Sequence, residues 1–172
     1  EYTPNPNAVK FILDTPLTMG GMTRSFESAE DAEGVKLAEE IMALDHVKSV
    51  FFADRWVTVT QDGEADWHDL LREIAEPIRD ATQDDAQPEA GAEAGGDDDD
   101  EFDGAGLDDP RVEQIREVIG DQILPYLQGD GGGLEIKALV DNELMIRYQG
   151  ACGTCPASIT GTLMAIENLI KS

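Results

Sequence analysis

Residues 82–109 carry almost no large apolar side chains, and this stretch limits what the rest of the chain can become. It is rich in Asp, Glu, Ala and Gly, contains Pro88, and includes the run Asp97-Asp98-Asp99-Asp100-Glu101. Such a segment cannot bury enough surface to offset the entropy of ordering it. Its like charges favour an extended chain. The sequence therefore predicts an α+β protein of two small domains, residues 1–81 and 109–172, joined by an acidic disordered linker over residues 82–108.

The charge distribution narrows the choice of partners. The net charge is −25, and residues 81–109 hold 12 of the 37 acidic residues with no base among them. Residues 1–80 set 17 acids against 7 bases, and residues 110–172 set 8 against 5. A nucleic-acid partner needs a basic footprint, and none is present. An anionic membrane surface would repel the chain. No apolar run approaches the ~20 residues of a membrane span. No nucleic acid and no membrane are expected as partners. The expected location is the bacterial cytoplasm, or the mitochondrial matrix if a targeting segment preceded Glu1.

In the first domain the pattern predicts the order β-β-α-β-β-α. Residues 9–13 read as an apolar strand, and residues 23–26 as a second strand after the Gly20-Gly21 turn. Ser28 reads as the cap of a helix with an acidic first turn, its apolar face built from Val35, Ala38, Ile41 and Met42. Residues 47–52 and 56–60 form a hairpin, with Val57 and Val59 opposed in direction to Thr58 and Thr60. Asp66 caps a second helix carrying Trp67, Leu70, Leu71, Ile74 and Ile78 at helical spacing. Met19 and Met22 read as caps of the core, and Trp56 and Trp67 as packing residues.

In the second domain the order is α-β-β-(CxxC loop)-α. Asp109-Pro110 is a helix start. Val112, Ile115, Ile119 and Ile123 form that helix's buried stripe, and Pro125 bends or stops it. The run Gly129-Asp130-Gly131-Gly132-Gly133 permits a tight turn. It lacks the Lys-Ser/Thr that completes a phosphate-binding loop. Leu134, Ile136, Ala138 and Val140 alternate along a half-buried strand, and Asp141-Asn142 turns it back into a second one. Pro156 opens a last helix with Ile159, Leu163, Ile166 and Ile170 on its core side.

Cys152 and Cys155 are the only cysteines, and they lie between that hairpin and that helix. Two thiols three apart do not make a secreted disulfide framework; they point to metal or redox chemistry in a reducing compartment. The free N–H groups and dipole of the following helix are expected to lower the thiol pKa. Gly150 and Gly153 are expected to let backbone N–H groups approach the sulfurs, and the cysteine loop to stand exposed. Three readings stay open: a metal or cluster ligand pair, a dithiol/disulfide oxidoreductase, and a structural zinc-bridged dimer. Iron–sulfur clusters and structural zinc both favour four ligands. His46 and His68 sit in the other domain, outside any ligand spacing. A two-fold dimer would bring two copies of Cys152 and Cys155 to one axis.

Gly129-Asp130-Gly131-Gly132-Gly133-Leu134-Glu135, and Gly150-Ala151-Cys152-Gly153-Thr154-Cys155-Pro156-Ala157-Ser158 with Thr162-Leu163 and Ile166-Glu167, resemble the signatures of the NifU-like (Nfu) iron–sulfur cluster scaffold and carrier proteins. The opening Thr3-Pro4-Asn5-Pro6-Asn7-Ala8-Val9-Lys10-Phe11 and the strands Val47-Lys48-Ser49-Val50-Phe51 and Trp56-Val57-Thr58-Val59 resemble that family's N-terminal domain. The resemblance implies a non-enzymatic carrier. It implies a [4Fe-4S] cluster shared between two protomers, with Cys152 and Cys155 as its ligands. The implied partners are upstream cluster donors, apo iron–sulfur client proteins and a second copy in a cluster-bridged homodimer. The family's C-terminal domain continues past its last helix into another strand, before which this sequence ends.

Overall fold

The computed structural model describes residues 1–19, 22–87 and 104–171. It divides into two compact units, Glu1–Asp97 and Asp98–Ser172. Most of the expected acidic linker, residues 88–103, lies outside the described residues.

The first unit contains β1 (Ala8–Ile12), β2 (Thr23–Phe26), α1 (Lys36–Met42), β3 (Val47–Ala53), β4 (Trp56–Gln61) and α2 (Trp67–Arg79). This is the expected β-β-α-β-β-α order. The strands form one antiparallel sheet in the order β1-β4-β3-β2. Alternation along the strands puts Val50, Phe52, Val57 and Val59 on one face. That face packs with Leu37, Ala38 and Ile41 of α1 and with Leu70 and Ile74 of α2. Phe26 meets Phe52 edge-to-face at 5.2 Å. Each such side chain contributes about 1.5–3 kcal/mol on burial. Thr58 and Thr60 point the other way, as expected, and are buried as well.

Two local expectations for this unit are overturned. Ser28 does not cap α1, which starts only at Lys36. The Ser28 hydroxyl accepts from Asp31 N–H at 3.1 Å, while the Asp31 carboxylate accepts from Ser28 N–H at 2.9 Å. These bonds close a turn, and Gly34 at φ +84° then interrupts any helical path. Met19 and Met22 are exposed rather than capping the core. After α2, whose N-cap Asp66 accepts from His68 N–H at 2.7 Å, a short 3-10 turn (Asp84–Ala86) buries Ala86 in the same core.

The second unit contains α3 (Pro110–Gln122), α4 (Leu124–Gly129), β5 (Gly132–Val140), β6 (Glu143–Gly150) and α5 (Pro156–Lys171). Asp109 caps α3, its carboxylate accepting from Arg111 N–H at 2.9 Å. Pro125 opens a new short helix: it sits in the first turn of α4, where its missing N–H has no helical partner to lose. The β5–β6 turn is Asp141-Asn142, at φ +49° and +70°, as its two left-handed-tolerant residues predict.

The inward stripes differ from expectation in two places. An irregularity between Ile136 and Ala138 shifts the alternation of β5, so Leu139 rather than Val140 joins the core. On α5 the core side is Ala165, Ile166 and Leu169, while Leu163 and Ile170 are each 42% exposed. That helix is apolar on more than one side, so its period admits more than one inward stripe. The outer edge of β5 is partly covered: Gly104 N–H donates to Lys137 O at 2.9 Å, and Leu139 N–H to Ala105 O at 2.8 Å. Among the described residues no helix is long and apolar enough to cross a membrane.

Candidate metal centre

The β5–β6 hairpin carries the cysteine loop to the start of α5. The chain leaves β6 at Gly150, whose φ of +63° turns it sharply. Ala151 N–H then donates to Gly131 O at 3.2 Å, pinning the loop to the glycine turn before β5. Gly131 is itself at φ +81°, which is the role expected of that glycine run. Cys155 lies at the N-cap of α5, its carbonyl accepting from Ile159 N–H at 3.1 Å. Tyr148 O–H donates to Ile159 O at 3.4 Å and ties β6 to the same helix.

Both cysteines are free thiols, and both are withdrawn from solvent: Cys152 is 1% exposed and Cys155 8%. The expectation of an exposed loop is therefore overturned for the two thiols, while Gly153 and Thr154 between them are exposed. Cys152 packs among Val112, Ile119, Ile123, Leu127, Ile136, Leu139 and Ile166, whereas Cys155 lies outside that cluster. Among the described residues Leu127 O, at 4.0 Å, offers the Cys152 thiol an acceptor, and that contact is long even for sulfur.

The expected electrostatics are overturned with it. Burial pushes the Cys152 thiol up to about 12, and the charges of Asp130 and Cys155 add to the rise. The helix dipole would lower it, but desolvation of a thiolate inside an apolar cluster outweighs that effect. Burial first, and then Cys152, also raises the Tyr148 phenol. Gly153 N–H itself donates to Gly150 O at 3.1 Å.

Sequence reasoning missed Gly132. A Cβ built on it would lie 2.5 Å from Cys152 Sγ, 2.9 Å from Cys152 Cβ and 2.6 Å from Gln149 O. The glycine run was readable as a turn, but its middle member has a second task that only the fold reveals. Asp130 was likewise read as part of a turn.

The histidines stay apart from the cysteines in the first unit. His46, at φ +70°, bonds through Nδ1 to Asp62 Oδ2 at 3.0 Å, with Glu64 beside the pair. Their donor atoms lie within 4.8 Å of one another and all three residues are exposed. The hydrogen bond to Asp62 raises the His46 pKa, and the Glu64 backbone N–H and then His46 hold the Asp62 carboxyl down. His68 lies 3.2 Å from Arg72 Nη2 on α2.

Comparison with known proteins covers both units. Residues 1–85 match the family described as scaffold protein Nfu/NifU N terminal, and residues 115–172 match the NifU-like domain. The chain is 32% identical to the NFU1 iron-sulfur cluster scaffold homolog, mitochondrial, of Homo sapiens over 98% of its own length and 65% of that protein. It is 29% identical to the protein of the same name from Drosophila erecta, over 98% of its own length and 58% of that one. The chain thus spans less than two thirds of these relatives. The solved structure of protein SAV1430 from Staphylococcus aureus aligns over 45% of this chain and 92% of its own, with a TM-score of 0.41 and 22% identity.

Proposed function

We propose, since this chain belongs to the NifU-like (Nfu) iron–sulfur cluster scaffold family, that it is a carrier which binds a [4Fe-4S] cluster through Cys152 and Cys155 of two protomers and delivers it to apo-proteins. One observation carries the reading: the sequence has two cysteines, and both sit in one loop at the start of a helix. Thiolate is the ligand that iron–sulfur chemistry prefers, and four are usual. A second copy of the chain supplies the missing pair without any new residue. The cluster is cargo, held at a junction between chains that can open, so the protein binds and releases rather than turning over a substrate.

The donor set fits the cargo in kind, since both donors are soft. The withdrawn Cys152 fits a protein that meets its cargo only on loading. A dithiol oxidoreductase would use the same pair and is separated by rapid disulfide reduction by the metal-free protein. A zinc-bridged dimer would use the same four sulfurs and differs in colour and stoichiometry. The first unit would select upstream donors or client proteins. The reading calls for a reducing compartment, such as a bacterial cytoplasm or a mitochondrial matrix.

Anaerobic reconstitution with iron and sulfide tests this. The expected result is visible charge-transfer absorption, about one cluster per two chains as a shared four-thiolate site requires, and dimerisation that depends on the cluster. Cys155→Ser should abolish all three. No visible absorption in the wild type, or an intact cluster in Cys155→Ser, refutes the proposal. Zinc retention with no colour would favour the structural dimer.

A further inference from the structure

We infer that Gly132 is a positioning residue for the cluster site: the side chain it lacks makes the seat in which the metal-free chain holds Cys152 inward. The inference rests on the carrier reading above, and it concerns what the ligand does before cargo arrives.

Three observations converge on it. A thiol that must share a cluster with another chain has to reach the surface, yet Cys152 is 1% exposed and packed in the core of its own unit. Its sulfur occupies the space where residue 132 would carry a Cβ, 2.5 Å away, a separation that real Cβ atoms do not tolerate. The loop that carries Cys152 is bounded by a left-handed glycine, Gly150, and clasped to Gly131 by the Ala151 N–H bond. Gly131, Gly132 and Gly150 therefore frame one small device. Gly132 accepts the sulfur, the Gly131 carbonyl holds the loop down, and Gly150 lets the loop leave.

The two ligands are consequently unequal. Cys155 is anchored at the start of α5 and is the less deeply buried of the two, at 8% exposure against 1%. Cys152 has to leave its seat, breaking the Ala151 bond and its contact with Leu127 O. Presentation of the second thiol is a local opening of the loop, separate from unfolding of the unit.

Any residue larger than glycine at 132 should expel Cys152. The test is site-resolved thiol labelling of the reduced, metal-free full-length protein with a small maleimide, read by mass spectrometry. In Gly132→Ala, Cys152 should label about tenfold faster or more, as expected when a closed local equilibrium is abolished. Cys155 should accelerate clearly less, because α5 holds it from the other side even though its N–H donates to Cys152 O at 3.4 Å. Equal acceleration of both thiols would mean general loosening and overturns the inference. So would unchanged labelling of Cys152 in a folded variant.

If Gly132→Ala does not fold, the double variant Gly132→Ala/Cys152→Gly decides. Removing sulfur and Cβ vacates the seat, while Gln149 O stays 2.6 Å from the new methyl in both variants. Recovery of a cooperative urea transition supports the inference; if both variants fail to fold, labelling of the wild type decides, and Cys152 reacting as fast as Cys155 overturns it. Labelling is read without cluster, so a negative result leaves the carrier proposal standing. Failed reconstitution in the wild type would remove that proposal while leaving the labelling result intact.

Discussion

Serine is the usual replacement for a suspected ligand cysteine, and at Cys152 it should damage the fold before any cluster is involved. The thiol lies in an apolar cluster at 1% exposure. Its acceptor among the described residues, Leu127 O, is 4.0 Å away. A hydroxyl needs about 2.5–3.0 Å, and its shorter bond to carbon does not bring it there. Cys152→Ser therefore buries a hydroxyl without a partner, at a cost of about 1–3 kcal/mol. Cys152→Ala buries nothing polar and leaves only a gap the size of the sulfur, costing ~1 kcal/mol. The conservative substitution should be the worse one. Cys155 should behave oppositely: it is the N-cap of α5, where serine is among the preferred residues, so Cys155→Ser should be neutral or slightly stabilising. Urea titration of the reduced, metal-free proteins measures all three. With a slope of about 1–3 kcal/mol per molar, a 2 kcal/mol loss moves the midpoint by roughly 1 M. The ligand must be absent, because bound cargo would add its own stabilisation. A Cys152→Ser protein as stable as wild type, or more stable than Cys152→Ala, would refute the inward placement of this thiol. If the order holds, Cys155→Ser is the cleaner variant for asking whether the cysteines bind a cluster.

Gly34→Ala should cost about 1–2 kcal/mol, read as a lower urea midpoint, because φ +84° is left-handed and ends the turn before α1. Gly120→Ala should stabilise by about 0.5–1 kcal/mol in the same assay, since Gly120 lies within α3 and an added Cβ meets nothing within 4 Å. The His46–Asp62 contact should depend on pH from both sides. The His46 pKa is raised from 6.5, so its contribution is full below 6.5 and lost as pH rises through the folded value. The Asp62 pKa is lowered from 3.8, so its contribution is full above 3.8 and lost as pH falls through the folded value. NMR titration of the His46 ring should show the raised value, and Asp62→Asn should return it toward 6.5; an unchanged midpoint in that variant would refute the pairing.

What could be read from the sequence depended on whether a residue's role was local. Asp66 and Asp109 were legible as helix caps because capping is settled within three residues. Asp141-Asn142 was legible as a hairpin turn because both types tolerate left-handed backbone, and both adopt it. The order of strands and helices followed from alternation and helical spacing. Failures came where a single residue altered a pattern beyond its neighbours. Gly34 moved the start of α1 from Ser28 to Lys36, and the irregularity near Lys137 exchanged Val140 for Leu139 in the core. On α5, apolar residues on several sides left the period unable to choose between Leu163 and Ala165.

The state of the two cysteines was misread. Their spacing left metal and redox readings open, and local rules then predicted an exposed loop with an activated thiol. Those rules describe a helix N-terminus in water. They do not include the apolar residues that α3, α4 and the hairpin bring around Cys152, nor the gap that Gly132 leaves for its sulfur. An opened loop, as inferred above, would return water to Cys152 and lift the desolvation that opposes its thiolate. That motion would then favour the ligand form as well as present it. On the proposed carrier reading, this arrangement would keep Cys152 out of reach of stray metal until another chain, or incoming cargo, held the loop open.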